Sequence, residues 1–149
     1  MNLCKAAFTL LLLAVSAFAD DRADRAKLIG VWESPGNGGK NGVWTIEAKG
    51  DNLHITYIEG GQKLADFECN IVGRDCMAKV FGHDSTISMY FNGPKLVEME
   101  TRGSEVLKRL FSVVGDGDSM QMELIPIVPD GKPETQQFKR AQLAAAKSR

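Results

Sequence analysis

The apolar positions of this 149-residue chain change rhythm at Trp32. Beyond it, short runs alternate apolar and polar residues and stop at glycine. A period of two places alternate residues on opposite faces of a β-strand. The runs are Val43 to Ala48, Leu53 to Glu59, Gln62 to Asn70, Cys76 to Phe81, Ser85 to Phe91, Lys95 to Arg102, Glu105 to Val114, Ser119 to Val128 and Thr135 to Arg140. Gly60-Gly61, Gly103-Ser104 and Pro129-Asp130-Gly131 are among the turn signals between them. Ser34 to Gly42 holds four glycines and reads as a loop. No segment after Trp32 carries a 3.6-residue period with caps.

This pattern predicts about eight or nine strands joined in sequence by tight turns. A meander of that length has two exposed edges, and closing it removes both. A two-sheet sandwich needs longer crossovers than these connections provide. The expected fold is all-β, a single up-and-down antiparallel β-barrel of about 8 strands, with a short helical turn near the N-terminus.

Charge sets the register of one hairpin. With Gly103-Ser104 as its loop, Arg102 faces Glu105 and Glu98 faces Arg109, two favourable cross-strand pairs. One face then carries Val97, Met99, Thr101, Val106, Lys108 and Leu110. The other carries Leu96, Glu98, Glu100, Leu107, Arg109 and Phe111. The first face, with a single cation, is expected inside. A buried lysine needs an anion or a wet cavity, so Lys108, with Thr101, is expected to hold the polar head of a ligand.

The N-terminus adds location. Met1 to Lys5 is weakly basic, Ala6 to Phe18 is uncharged, and Ala17-Phe18-Ala19 is an A-x-A cleavage signature. Residues 1–19 read as a signal peptide, 20–27 as a lead-in, 28–140 as the barrel and 141–149 as a tail. The apolar run is shorter than the roughly 20 residues of a membrane span, so stable membrane insertion is not expected. Cys4 precedes that run, which excludes a bacterial lipoprotein anchor. Removing nineteen of the 149 residues leaves 130, enough for one domain with one core. The expected location is extracytoplasmic, periplasmic or secreted.

With 18 basic and 19 acidic residues the net charge is −1. No concentrated basic face is available for nucleic acid. Cys69 and Cys76 remain after cleavage, an even pair in an oxidising compartment, and are expected to form a disulfide. Their spacing is not C-x-x-C, and no histidine follows at zinc-finger spacing.

Gly30-Val31-Trp32 at the start of the first strand resembles the G-x-W signature of lipocalins and related calycins, and it follows a short helical turn as theirs does. The chain is similar to small bacterial secreted lipocalin-like proteins over roughly Leu28 to Arg140. The resemblance implies that Gly30 and Trp32 are structural, with Arg140 or Lys139 packing over the tryptophan as a cation–π contact.

Enzyme signatures are scarce. No serine lies in G-x-S-x-G. His83 and Asp84 are adjacent, so on a strand they point apart, and His54 is expected to be solvated or hydrogen-bonded. Gly115-Asp116-Gly117-Asp118 lacks the final glutamate of a calcium loop and reads as a turn. Glu98 with Glu100, and Asp66 with Glu68, are carboxylate pairs expected on the solvated exterior. Met89, Met99, Met120 and Met122 fall in neighbouring strands, and methionine suits surfaces that accept varied apolar ligands. The expected role is non-catalytic binding of a small hydrophobic or amphipathic molecule by Met89, Met99, Thr101, Lys108, Met120 and Met122, without cofactor or metal. The alternative is a filled barrel that binds a protein or the cell envelope through its surface.

Overall fold

The computed structural model describes residues 16–34 and 41–142. The apolar run up to residue 15, loop residues 35–40 and the tail from 143 lie outside the described residues, and with them most of the expected signal peptide. Helix α1 spans Ser16–Lys27, so it begins ahead of Ala19, and its last turn carries Arg25 and Lys27. Cations there complement the carbonyl end of the helix dipole. No helix among the described residues is long and apolar enough to cross a membrane.

Ten antiparallel strands follow: β1 (Gly30–Glu33), β2 (Gly42–Lys49), β3 (Asn52–Glu59), β4 (Gln62–Asn70), β5 (Cys76–Val80), β6 (His83–Asn92), β7 (Lys95–Arg102), β8 (Glu105–Val114), β9 (Ser119–Val128) and β10 (Glu134–Arg140). Each pairs with its sequence neighbours, and β1 pairs with β10 to close the barrel. The fold is the expected up-and-down barrel, but with ten strands rather than about eight. Two of the ten are short. β1 has four residues yet pairs on both sides, with β2 and with β10. β5 has five residues and is a strand in its own right, because the loop before it turns the chain back.

The glycine turns set the hairpins. Gly60 and Gly61 both have positive φ, 56° and 79°, the conformation a two-residue hairpin loop requires and a side chain disfavours. In the hairpin of β7 and β8, Glu98 pairs with Arg109 and Arg102 with Glu105, the register set by charge.

The wall is thinnest between β4 and β5, where Ala65 and Val80 form the single paired position. The Cys69–Cys76 disulfide ties these strands, with a Cα–Cα distance of 5.9 Å. The loop it closes leans on β6 instead: Gly73 donates its N–H to the Met89 carbonyl at 2.8 Å, and Val72 bridges to Tyr90.

The core fills the barrel with Trp32, Trp44, Ile46, Ile55, Ile87, Met89, Leu96, Phe111, Met120 and Phe138, all fully buried. The inner face of β7 and β8 is the reverse of the expected one. Leu96, Glu98, Glu100, Arg109 and Phe111 are inside. Met99 and Lys108, cross-strand partners, alternate with them and face outward with Thr101. Three mutually paired charges cost less to bury than a lone cation. The lysine therefore stays at the surface, and the carboxylate–arginine set goes in.

Candidate functional site

The even-to-odd turns, β2–β3, β4–β5, β6–β7 and β8–β9, lie at the barrel end where α1 arrives; the odd-to-even turns lie at the other end. At the helix end Trp32 is fully buried, and its indole Nε1 donates to the Leu28 carbonyl at 2.9 Å. The Arg140 guanidinium stands 4.1 Å over that ring. It donates to the carbonyls of Gly117, Ile29 and Lys27 at 3.2, 3.0 and 2.5 Å. Gly30 is required here. A Cβ on it would lie 2.5 Å from Arg140 Nη1, and its φ of +145° strains any other residue. At this end the Trp32 and Arg140 side-chain donors are bonded to backbone carbonyls.

The other end holds a cavity of about 300 Å³, lined by Trp44, Tyr57, Glu59, Phe81, Arg102, Arg109, Met122, Leu124 and Gln136. That volume is at the lower end of the range for ligand pockets, about 300–1,000 Å³. Its wall begins with aromatics. Trp44 stacks on Tyr57 with ring centroids 4.4 Å apart and meets Phe111 edge-on at 5.2 Å. Tyr57 reaches Phe81 at 5.6 Å. The strand pairing Trp44↔Tyr57 brings the first two rings together.

Behind the aromatics lies a charged cluster. Arg109 Nη1 donates to Glu98 Oε1 at 2.7 Å and to Glu100 Oε2 at 2.8 Å. Ser85 Oγ donates to Glu100 Oε1 at 2.8 Å. Glu98, Glu100 and Arg109 are 1%, 0% and 4% exposed. The Arg109 guanidinium also sits 5.1 Å from the Phe81 ring centre. Burial alone would lower the Arg109 pKa, but the two carboxylates outweigh it and hold it above its ordinary value. Burial pushes Glu98 up, against the pull of Arg109, and the neighbouring charge of Glu100 adds to the rise.

Among the described residues, three buried polar atoms have no hydrogen-bond partner: Trp44 Nε1, Glu98 Oε2 and Arg102 Nε. Arg102 Nε lies 3.1 Å from Glu105 and 3.9 Å from Glu100, attracted to both without an aligned hydrogen bond. Tyr57 donates its hydroxyl to Glu59 Oε1 at 3.1 Å. Burial and then that hydrogen bond push the phenol up to about 12.

Of the expected ligand-binding residues, Met122 lines the cavity. Met89 and Met120 are buried in the core away from it, while Met99, Thr101 and Lys108 are on the outer face. An anchoring role for Lys108 and Thr101 does not fit that position. Glu98 and Glu100, expected on the exterior, are the reverse. Their signal was in the hairpin register itself, which set both carboxylates and Arg109 on one face as a complementary trio. Asp66 and Glu68 are exposed as expected.

Away from the cavity, His54 bonds to Asp66 at 2.7 Å and Glu47 at 3.1 Å on the outer surface. Those hydrogen bonds raise its pKa, Asp66 contributing most. Among the described residues no group of three or more candidate metal ligands occurs.

No protein-family model matches the chain, and no curated protein matches its sequence. Solved structures match its fold. A fatty acid binding protein of Schistosoma mansoni, in complex with arachidonic acid, shares 13% identity at a TM-score of 0.67, covering 80% of this chain and 99% of its own. Apo lipid binding protein 8 of Caenorhabditis elegans shares 8% identity at 0.65, over 78% and 96%. A secretory abundant heat soluble protein of Ramazzottius varieornatus shares 14% at 0.66, over 77% and 96%. At these identities the likeness is one of fold.

Proposed function

We propose that this protein binds one small hydrophobic or amphipathic molecule inside its barrel, without chemistry, outside the cytoplasm. The observation that carries the reading is the cavity of about 300 Å³ walled by Trp44, Tyr57, Phe81, Met122 and Leu124. Desolvating a ligand's apolar body against these side chains contributes about 25 cal/mol per Å² buried, before ordering costs. Support comes from the shared barrel of proteins named for binding fatty acids and lipids. The A-x-A signature and the Cys69–Cys76 disulfide favour an oxidising compartment.

The neutral fluorescent probe N-phenyl-1-naphthylamine tests the cavity. Saturable enhancement at one site is expected with the native protein. Leu124→Trp, which fills the space from the cavity wall, is expected to abolish it while leaving the fold intact by circular dichroism. No enhancement with the native protein would sink the reading. The location is tested by the mass of the protein recovered outside the cytoplasm: a chain starting at Asp20 is expected, and a full-length chain confined to the cytoplasm counts against it.

A further inference from the structure

The cavity has arginines in its wall, yet it is not an anion site. Two guanidinium groups, Arg102 and Arg109, line it beside the Glu59 carboxylate, and two further carboxylates, Glu98 and Glu100, lie buried against them. Both hydrogen bonds from Arg109 leave through Nη1 and end on buried glutamates. Arg102 is drawn to Glu100 and, at the rim, to Glu105. The Tyr57 hydroxyl is committed to Glu59. A carboxylate entering here would lose its water without meeting net positive charge, and a desolvated charge without a counter-ion is costly.

What the wall does offer is a neutral donor. Trp44 is one of the residues that line the cavity, and its indole Nε1 is buried with no hydrogen-bond partner. An indole N–H can only donate, and a buried donor left unmade costs free energy that a ligand acceptor recovers.

We propose that the cavity selects a neutral amphiphile whose head carries an acceptor oxygen, such as an amide, an ester or an alcohol, and discriminates against the free fatty acid. This rests on the binding reading above and narrows its ligand class. Glu98 and Glu100 are the specificity-determining residues, because they spend the charge of Arg109. Trp44 supplies the contact to the head.

The test is displacement of N-phenyl-1-naphthylamine at neutral pH by three ligands of equal chain length: dodecanamide, dodecanoic acid and dodecylamine. Dodecanamide is expected to compete at least about tenfold better than either charged ligand, a difference of about 1.4 kcal/mol. In Glu98→Gln/Glu100→Gln, Arg109 regains its charge, and dodecanoic acid is expected to overtake the amide. Glu98→Gln alone, which leaves the Arg109–Glu100 pair, is expected to move the ratio the same way by less. Should the double variant fail to fold, the single variant and the wild-type ranking still decide. Dodecanoic acid or dodecylamine matching the amide on the wild type overturns this proposal and leaves the binding reading standing. A probe that does not bind at all overturns both.

Discussion

Two tryptophans face each other across the pairing of β1 and β2, and their surroundings differ. Trp32 has its indole N–H bonded to the Leu28 carbonyl and an arginine over its ring. Trp44 has stacked aromatic neighbours and an N–H with no partner. Two arginines repeat the contrast. Arg140 spends its donors on backbone carbonyls, which hold the helix end, the entry to β1 and the turn between β8 and β9 together. Arg109 directs its Nη1 to two side-chain carboxylates inside the barrel. A satisfied buried group builds structure. An unsatisfied one is costly to the fold, and in the proposed reading the ligand's acceptor completes the Trp44 donor.

The comparison breaks most visibly at Arg109. Arg109→Met leaves Glu98 and Glu100 buried without a cation and is expected to cost about 3–5 kcal/mol in denaturant unfolding. A cost below about 1 kcal/mol would mean that the carboxylates escape to water. At the other end, Arg140→Met removes three carbonyl contacts and the cation–π stack. It is expected to cost about 2 kcal/mol while leaving probe affinity unchanged. Loss of probe binding in a folded Arg140→Met protein would show that the two ends are coupled.

Replacing each tryptophan by phenylalanine sharpens the contrast. Both variants lose similar apolar area, but only Trp32→Phe strands a carbonyl. Trp32→Phe is therefore expected to cost about 1 kcal/mol more than Trp44→Phe, and Trp44→Phe alone to erode the preference for dodecanamide. Equal costs would remove the distinction drawn between the two indoles.

The smallest effect is a pH slope. The folded pKa of Glu98 is raised above its usual 4.5. Its contribution is thus fully present below the unfolded pKa and is lost as pH rises through the folded value. His54, also raised, adds a slope of the same sign above its ordinary 6.5. Comparing melting temperature against pH for wild type and Glu98→Gln isolates the first. The wild type is expected to lose stability through the range above 4.5 where Glu98 ionises, and Glu98→Gln to lose less.

The strands were legible because glycine turns and period-two runs are local signals. Every run from Val43 to Arg140 became a strand within a residue or two. The hairpin register was legible because Glu98 with Arg109 and Arg102 with Glu105 satisfy charge in one pairing and not in the neighbouring one. How the loop closed by Cys69–Cys76 lies against β6 was not.

What the sequence by itself determined is therefore the meander, its turns and the pairing of β7 with β8. Which face of that pairing looks inward belonged to the tertiary structure. Both faces carry apolar and charged residues, so alternation alone is blind to the flip. Closure of the barrel decided it, because only inside does Arg109 meet Glu98 and Glu100 with Ser85 to complete the set, whereas Lys108 would have been buried without a partner. The same closure left the Trp44 N–H without a partner and set that of Trp32 against a carbonyl, a difference that no pattern along the chain contains.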